Sequence, residues 1–585
     1  MTIGPIKIDP SMPFLSGKDL AKEAASMPVE EFDLGNGISV QRQGMMVKLV
    51  GGNNLSPQAF MAALQAAEMG GDAGRSMFDT YRKTNPMDFD GSRTLSAMLD
   101  GPMSSRRESL VQSGRQDKDE ESFEGRDVHH LANGESFDGS DSKEGVVVKG
   151  KDNVEIIGSA EEDFLEAYNN ARIWGGKGND VISANNDGTL DGGDGDDILS
   201  ANNNNTLYGG AGNDTLSAGN NNTLYGGNGD DTLIANNNSV LHGDAGNDTL
   251  SAGNDSTLYG GEGDDKLSAY NNSTLYGGAG DDELRAYGNS VVYGEDGDDI
   301  LKAYGDSTLY GGAGNDELSG YANSTLYGGA GDDRLSGYDY STMNGGAGDD
   351  YMSGYDDVMA SDTEGDNYVS AYRRAEVVTG DGNDWIAAYD QATVSAGNGN
   401  NMVSAYSQAR VVTGNGDDLI TVGADSTIVS GAGDDVVKVG AGSDVFTGKG
   451  DDQITVKGDA TIHFSKGDGN DVIAGGRWGH AYRATENISS SIVAFGDGIS
   501  AGDLSFQGQG NDLLINVAGG DSLTIKDYQR HGIPSMTFSD GTILTSQEVT
   551  AAVGEGEAYQ PVSQVLQKWH DARAAYEAST ANAQT

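Results

Sequence analysis

The feature that most constrains the fold is a 17-residue repeat that keeps its register from residue 180 to residue 452, an interval of 272 residues or 16 repeats. Each repeat carries a turn of the form Gly-x-Gly-[Asn/Asp]-Asp, and one further Asp in the same register precedes the run, at Asp163. A short fixed period is typical of a solenoid, in which each coil buries its apolar face only against its neighbours. The last position of the turn holds Asp180, Asp197, Asp214, Asp231, Asp248, Asp265, Asp282, Asp299, Asp316, Asp333, Asp350, Asn367, Asp384, Asn401, Asp418, Asp435 and Asp452.

Two apolar positions in each repeat predict two short strands per coil. One row lies two residues after the aspartate and comprises Leu216, Leu233, Leu250, Leu267, Leu284 and Leu301; the other comprises Leu207, Leu224, Leu241, Leu258, Leu275 and Val292. Glycine joins the strands on one side because positive φ costs it little, and Asn-rich turns join them on the other because Asn tolerates the left-handed region. The predicted fold class is therefore all-β, a parallel β-roll (β-solenoid) of 17-residue coils.

The charge of the chain indicates what kind of partner it has. It carries 91 Asp and Glu against 36 Lys and Arg, a formal charge of −55. Nucleic acid and anionic membranes would be repelled, which leaves multivalent cations as the natural counterpart. The absence of Cys excludes disulfides and thiolate metal sites, and no apolar run is long enough for a membrane span.

Calcium fits the stacked turns best. Aspartates of neighbouring coils would stand about 4.8 Å apart, where their charges repel. Calcium takes six to eight hard oxygen ligands in flexible geometry, and glycine turns expose main-chain carbonyls beside each carboxylate, whereas magnesium and zinc demand stricter geometry or other ligands. The alternative is that the turns are only solvated corners of a solenoid.

The turns resemble a known family. The segments "LYGGAGNDTL", "LYGGEGDDKL", "LYGGAGDDEL" and "VTGNGDDLI" fit Gly-Gly-x-Gly-x-Asp-x-apolar-x, the pattern of RTX or haemolysin-type calcium-binding repeats, and the resemblance covers about residues 158–473. It implies bound calcium ions, with the aspartate that ends each motif as a ligand. The other half of each coil is an Asn/Ser/Tyr segment rather than a second nonapeptide, so we expect one row of sites along one edge, weak or empty at Asn367 and Asn401.

Near the end of the repeats, "VGAGSDVFTGKGDDQI" restores a second nonapeptide at Asp444, which predicts an ion on the opposite side. The predicted metal ligands are Asp180, Asp197, Asp214, Asp231, Asp248, Asp265, Asp282, Asp299, Asp316, Asp333, Asp350, Asp384, Asp418, Asp435, Asp444 and Asp452.

Two tyrosine rows also repeat at 17 residues. One comprises Tyr270, Tyr287, Tyr304, Tyr321, Tyr338, Tyr355, Tyr372, Tyr389 and Tyr406; the other comprises Tyr208, Tyr225, Tyr259, Tyr276, Tyr293, Tyr310 and Tyr327, with His242 in the gap. The rows either stack between coils or form a track for a glycan or cell-surface partner. A row formed by Asn204, Asn221, Asn238, Asn272 and Asn289 is interpreted as a structural amide ladder.

The ends differ from the roll in composition. We expect an N-terminal region of unknown role at residues 1–100, small and mixed or partly disordered, with a hairpin in "GISVQRQGMMVKLV" and a helix in "PQAFMAALQAAEMG". A disordered linker is predicted at 101–144, the roll at 145–475, a β-rich capping segment at 476–550 and a tail at 551–585. The capping segment is similar to the haemolysin-type calcium-binding-related segment, judged from "FGDGIS", "LTIKDY" and "FSDGT". For the tail, the resemblance implies a type I export signal.

Two functions follow. The first is a secreted, non-enzymatic calcium-binding protein that folds on calcium outside the cell, with a surface, matrix or adhesion role. The N-terminus lacks the layout of a cleavable signal peptide. The second makes the roll an export and folding module for an effector or enzyme in residues 1–100, exported by the type I route or by injection. Against an enzyme, there is no His-Glu-x-x-His pair, and "GISAG" at Gly498–Gly502 lacks the strand-turn-helix context of a hydrolase.

Overall fold

The computed structural model describes the backbone of residues 30–35, 38–43 and 46–50, and residues 126–476 and 487–553 with their side chains. The chain divides into two compact units, Met1–Gln112 and Ser113–Thr585.

The first unit contains a three-stranded antiparallel sheet. Its strands are Glu30–Gly35, Ile38–Gln43 and Met46–Val50, paired in chain order. The second and third strands form the hairpin that the sequence predicts, with Val40 opposite Leu49. The predicted helix at 57–70 lies outside the described residues.

The second unit is a roll built from two parallel sheets. Each coil contributes one strand to sheet 1, directly after the aspartate, and one to sheet 2, directly before the glycine turn. Register is kept coil by coil, so that Leu216 pairs with Leu233 in sheet 1 and Leu207 with Leu224 in sheet 2. The predicted parallel β-roll of 17-residue coils is confirmed.

The strands of sheet 1 are Val128–His130, Val147–Lys149, Phe164–Glu166, Val181–Ser183, Ile198–Ser200, Thr215–Ser217, Thr232–Ile234, Thr249–Ala252, Lys266–Ala269, Glu283–Tyr287, Ile300–Tyr304, Glu317–Tyr321, Arg334–Tyr338, Tyr351–Tyr355, Tyr368–Tyr372, Trp385–Ala388, Met402–Ala405, Leu419–Val422, Val436–Val439, Gln453–Val456 and Asn470–Gly475. The strands of sheet 2 are Ser136–Asp138, Glu155–Ile157, Arg172–Lys177, Thr189–Asp194, Thr206–Ala211, Thr223–Asn228, Val240–Ala245, Thr257–Glu262, Thr274–Ala279, Val291–Asp296, Thr308–Ala313, Thr325–Ala330, Thr342–Ala347, Met359–Ser361, Glu376–Val378, Thr393–Ser395, Arg410–Val412, Thr427–Val429, Ser443–Phe446 and Ala460–Phe464.

The core is a column of aliphatic side chains between the two sheets. Every member of the two predicted apolar rows is at most 2% exposed. Each of these side chains touches its counterparts one coil above and below, so a coil has little buried area of its own and depends on its neighbours.

The roll begins earlier than the sequence predicts. Strands Val128–His130 and Ser136–Asp138 lie within the predicted linker at 101–144 and pair in parallel with the next coil. Leu131 and Phe137 pack against the core. The three side chains of Val128–His130 are all exposed and only Phe137 of Ser136–Asp138 is partly buried, so composition alone gives little sign of these strands.

Residues 487–553 extend both sheets at the C-terminal end. Strand Ile492–Phe495 pairs in parallel with Ala460–Phe464, and Ser522–Ile525 pairs in parallel with Asn470–Gly475. In sheet 1, the antiparallel strands Asp512–Val517 and Leu504–Gln509 complete the edge. In sheet 2, Ser535–Phe538 pairs in parallel with Ile492–Phe495, and the antiparallel strand Ile543–Leu544 completes the edge.

The same segment contains the short helices: a 3₁₀ helix at Ala501–Asp503, α1 at Tyr528–His531 and α2 at Ser546–Ala552. Phe464, Phe495 and Phe538 are buried where the segment meets the last coil. No helix within the described ranges has the length and apolar character needed to cross a bilayer.

Candidate metal sites in the glycine-aspartate turns

Glycine suits each turn in two ways: it adopts positive φ at little cost, and its lack of a side chain leaves room for the neighbouring coil. In the turn that starts at Gly209, Gly210 has φ +121° and Gly212 has φ +131°, a region that costs other residues energy. A Cβ on Gly210 would stand 2.0 Å from the carbonyl oxygen of Gly193 in the preceding coil. Main-chain carbonyls of successive turns therefore point along the roll. Glycine holds this position in most coils, whereas Asp244 and Glu295 hold it with φ of 77° and 83°.

The aspartates that end the turns form an inner row. All predicted ligands except Asp444 are at most 2% exposed. Each uses one carboxylate oxygen to join coils: the backbone N–H of Asp197 donates to Oδ1 of Asp214 at 2.7 Å, and that of Asp265 donates to Oδ1 of Asp282 at 2.7 Å. One oxygen of every side chain is thus committed to holding the next coil in register.

An outer row lies one residue earlier and bonds in the opposite direction along the roll. The backbone N–H of Asn213 donates to Oδ1 of Asp196 at 2.9 Å, and that of Asp230 donates to Oδ1 of Asn213 at 2.9 Å. These side chains are exposed. The alternation of Asn and Asp at this position is therefore explained by an acceptor oxygen that both residues supply.

The second carboxylate oxygen of the inner row is buried without a hydrogen-bond donor among the described residues. This holds for Oδ2 of Asp214, Asp231, Asp248, Asp265, Asp282, Asp299, Asp316, Asp333, Asp350, Asp384, Asp418, Asp435 and Asp452. Such an atom is costly to bury unless a proton or a cation meets it.

The surroundings of Oδ2 are rich in oxygen. The position that a Cβ would take on Gly277 lies 2.2 Å from Oδ2 of Asp282 and 2.7 Å from the carbonyl oxygen of Gly294 in the next coil. A carboxylate oxygen and a carbonyl oxygen therefore converge between two coils, and the same arrangement recurs at Gly260 and Gly311. Hard oxygens from flexible main chain are the donor set that calcium prefers, so these residues fit calcium.

Burial raises the pKa of these carboxyls, because the charged form loses water, and like-charged neighbours add to the shift at many positions. The pKa rises to about 6 for Asp214, Asp248, Asp316 and Asp452, to about 7 for Asp231, Asp265, Asp299, Asp333 and Asp435, and to about 8 for Asp282, Asp350 and Asp471. In the absence of a metal ion, the folded row holds protons to far higher pH than free aspartate does.

Two predicted exceptions, Asn367 and Asn401, occupy the inner row without a charge. Asn367 Oδ1 accepts the backbone N–H of Asp350 at 2.9 Å, as an aspartate would. Its Nδ2 donates to the carbonyls of Glu364 and Gly365, both at 3.1 Å. The amide thus satisfies the position using protein groups alone, which agrees with the prediction of weak or empty sites there and leaves ion binding untested.

Asp444 does not lie where the sequence predicts. It sits in strand Ser443–Phe446 and points outward, with its side chain 53% exposed and Oδ1 3.8 Å from Nε2 of His463. Ser443, one residue earlier, takes the inward position of that turn, where its hydroxyl accepts the backbone N–H of Ser426 at 3.2 Å. The second nonapeptide is thus offset by one residue from the inward position, and an ion at Asp444 on the opposite side stays a prediction.

Sequence reasoning missed two members of this geometry. Asp471 is 2% exposed and its Oδ1 accepts the backbone N–H of Asp452 at 3.2 Å. It lies 19 residues after Asp452 rather than 17, so a search at fixed spacing passes over "GDGNDVI", although the motif itself signals it. The other is Asp362, which takes the place of a turn glycine and is fully buried.

The tyrosine rows are stacked ladders. Ring centroids are 4.2–5.3 Å apart from Tyr270 to Tyr406, and 4.7–5.0 Å apart from Tyr208 through His242 to Tyr327. Neighbouring rings cover each other's faces, so most of the tyrosines expose only their ring edges and hydroxyl groups to solvent. Stacking accounts for the spacing, and no contact within the described residues supports a glycan track.

The asparagine ladder is present in the opposite turn. Asn204, Asn221, Asn238 and Asn272 have φ of 56–58°, and Nδ2 of Asn221 donates to Oδ1 of Asn204 at 3.3 Å. At the coil of Asn289 the left-handed position is taken by Gly288 instead.

Comparison with known families agrees with this geometry. The model of the RTX calcium-binding nonapeptide repeat matches residues 168–199, 201–233, 219–239, 235–256, 253–271, 270–287, 286–304, 303–324, 320–339, 341–358 and 423–454. The roll carries RTX calcium-binding repeats. The model of the haemolysin-type calcium binding protein related domain matches residues 512–548, within the segment that extends the sheets of the RTX roll. No curated protein matches the chain.

The RTX match has a gap from residue 359 to 422, and the structure changes there. Sheet 2 strands shorten from six residues in Thr342–Ala347 to three in Met359–Ser361. The first turn glycine is replaced by Asp362, Thr379, Ala396 and Thr413 in successive coils. Hydroxyls now bridge coils: Oγ1 of Thr413 donates to the carbonyl of Ser430 at 2.7 Å. The coil-to-coil register continues through the gap, with a different set of bonds at the turn.

Proposed function

We propose that this chain is a secreted, non-enzymatic calcium-binding protein that folds when it meets calcium outside the cell and serves there as a surface, matrix or adhesion component. The observation that carries the proposal is the inner row of buried aspartates, in which the Oδ2 of thirteen side chains from Asp214 to Asp452 has no donor among the described residues. Once the pH exceeds the raised pKa values of about 6 to 8, these carboxyls lose their protons and a closed roll needs a cation at these atoms. A chain with a net charge of −55 stays extended where calcium is scarce and closes where it is plentiful.

Folding linked to calcium suits export, because an extended chain passes a secretion channel more easily than a closed roll. The RTX match and the related domain near the C-terminus support this role. We place an uncleaved export signal in the tail at 551–585 and bound calcium at the inner row, with the segment at 476–550 protecting the last coil.

The test is calcium titration of the calcium-stripped full chain at pH 8, followed by circular dichroism, with magnesium as the matched control. We expect β-structure to appear only with calcium, with a midpoint of about 10⁻⁴ to 10⁻³ M as for extracellular modules. Export is tested in the producing cell by removing residues 551–585 or residues 1–100 and measuring the chain in the medium. Retention of the tail-less chain in the cell supports the proposal, whereas its normal release contradicts the type I route.

A second candidate makes the roll an export and folding module for an activity in the N-terminal region. Its support is the division of the chain into a separate unit at Met1–Gln112. If the N-terminal region carries the function, a chain that lacks residues 1–112 will still bind calcium and leave the cell but will lose its biological effect.

A further inference from the structure

In one coil of the roll, the buried carboxylate lies at the start of the turn, whereas in most other coils it lies at the end. Residues 362–367 read Asp-Thr-Glu-Gly-Asp-Asn, so Asp362 replaces the first glycine and Asn367 replaces the final aspartate. By its motif this turn looks degenerate, and the RTX match ends just before it, at residue 358. The structure shows that the charge is relocated rather than lost.

The relocated carboxylate faces the aspartate of the preceding coil. Asp362 is 0% exposed and Asp350 is 1% exposed. The position that a Cβ would take on Gly345 lies 1.9 Å from Oδ2 of Asp362 and 2.1 Å from Oδ2 of Asp350. The two oxygens are therefore at most the sum of these distances, 4.0 Å, apart.

The other oxygen of each carboxylate is already committed. Oδ1 of Asp362 accepts the backbone N–H groups of Thr363 and Glu364, at 2.5 and 3.1 Å. Oδ1 of Asp350 accepts the backbone N–H of Asp333 at 2.7 Å. These bonds fix the side chains, so the two Oδ2 atoms cannot turn away from each other without breaking the turn.

No described protein group neutralises the pair. Both Oδ2 atoms are buried without a hydrogen-bond donor among the described residues. The nearby amide of Asn367 has both of its hydrogens engaged, on Glu364 and Gly365. Two fixed, buried carboxylate oxygens that face each other require a cation or a shared proton between them.

We propose that Oδ2 of Asp350 and Oδ2 of Asp362 together bind a divalent cation of the calcium type, at a site whose donor set differs from that of the other nonapeptide turns. In a nonapeptide turn, one carboxylate oxygen converges with a main-chain carbonyl; here two carboxylate oxygens converge. A higher ligand charge gives tighter calcium binding. This site therefore fills first, and it joins the last nonapeptide-type coil before the gap at 359–422 to the coils that hydroxyls bridge.

The test is hydrogen exchange of the full chain by mass spectrometry at pH 8, over a calcium series. For the wild type we expect the segment at 345–367 to become protected at a calcium concentration about tenfold lower than the segment at 260–300. The variants are Asp362→Asn, which removes the charge, and Asp362→Gly, which restores the residue of the other turns and so keeps the coil foldable. The control is Glu364→Gln, which removes an exposed carboxylate from the same turn.

Both Asp362 variants should delay protection of 345–367 to the calcium range of 260–300, while Glu364→Gln leaves the midpoint unchanged. Asp362→Asn should also reduce the bound ions counted by native mass spectrometry by one, whereas Asp362→Gly, which restores an ordinary turn at Asp350, should keep the wild-type count. The proposal is overturned if the Asp362 variants keep the wild-type midpoint. It is equally overturned if wild-type 345–367 is protected in chelator and loses protection only as pH rises, since the pair then shares a proton. The segment at 260–300 reports on the nonapeptide turns in the same experiment, so failure of this site is distinguishable from failure of the whole calcium row.

Discussion

Replacing three consecutive inner-row aspartates with asparagine should make the calcium-free roll more stable at pH 8. The change is Asp265→Asn, Asp282→Asn and Asp299→Asn in one chain. Asparagine keeps the Oδ1 that accepts the neighbouring backbone N–H and puts a donor in place of the unsatisfied Oδ2. The chain already contains this solution at Asn367, whose amide donates to two carbonyls of its own turn.

The magnitude follows from the pKa shifts. Burial raises the pKa of Asp265 and Asp299 to about 7 and that of Asp282 to about 8, from 3.8. Holding one such group ionised in the folded state costs about 4 kcal/mol, so three of them match the stability of a whole domain, about 5–15 kcal/mol. The pKa of each carboxyl is higher in the folded state than in the unfolded chain, so its protonation stabilises the folded roll. This stabilisation is fully present below pH 3.8 and is lost as the pH rises through about 7 to 8. Lowering the pH from 8 to 5 restores about 3 kcal/mol for a group of pKa about 7.

The assay is circular dichroism of calcium-stripped protein from pH 8 to pH 5, where most exposed carboxylates remain charged. We expect the wild-type chain to gain β-structure on acidification, and the triple Asn variant to gain it at higher pH. The matched control is Asp264→Asn, Asp281→Asn and Asp298→Asn, which removes three exposed charges from the same turns. If the outer-row control shifts the transition as far as the inner-row variant does, general charge repulsion rather than buried carboxylates governs folding, and the reasoning is refuted.

Three further predictions concern the rest of the roll. Truncation after Gly475 should abolish calcium-induced folding because it exposes the last core layer, whereas removal of residues 1–125 should leave folding intact. Circular dichroism in saturating calcium distinguishes these results. A C-terminal truncation that still folds would contradict the capping role. Replacing Tyr270, Tyr287 and Tyr304 with Ala should lower stability by about 1–3 kcal/mol in urea melts and leave the number of bound calcium ions unchanged, since the rings only stack. Gly278→Ala should destabilise the calcium-bound roll by more than about 1 kcal/mol. Gly278 has φ +125°, and a Cβ there would stand 2.1 Å from the carbonyl oxygen of Gly261. The control, Gly502→Ala, should be neutral, because the nearest atom to its Cβ would be 3.7 Å away.

The period made most of the fold predictable. An in-register repeat fixes which residues stack, so the apolar rows, the tyrosine ladders and the inner aspartates could be placed before any coordinates were known. The N-terminal coils could not, because strands of three residues with at most one partly buried side chain give almost no hydrophobic signal. Val128–His130 and Ser136–Asp138 therefore read as a polar linker.

The candidate sites were predictable as a row and less so atom by atom. Sequence spacing places Asp282 beside Asp265 but does not reveal that one oxygen is used to bond the next coil while the other is left without a donor. It also misplaces Asp444, because a motif match ignores the alternation that gives Ser443 the inward position. Asp362 escapes a motif search altogether, since it restores a charge at the position where the pattern requires glycine.

The central claim is that calcium binds along the inner row and that, at pH 8, the roll closes only then. The most direct measurement is the number of calcium ions bound per chain at pH 8, by native mass spectrometry or equilibrium dialysis, on samples whose β-structure is recorded at each calcium concentration. The interval from Asp180 to Asp350 alone spans 170 residues, or 10 gaps between stacked turns. We therefore predict about ten or more ions, taken up together with the gain of β-structure. A count of one or two ions, or full β-structure in chelator at pH 8, would contradict the account.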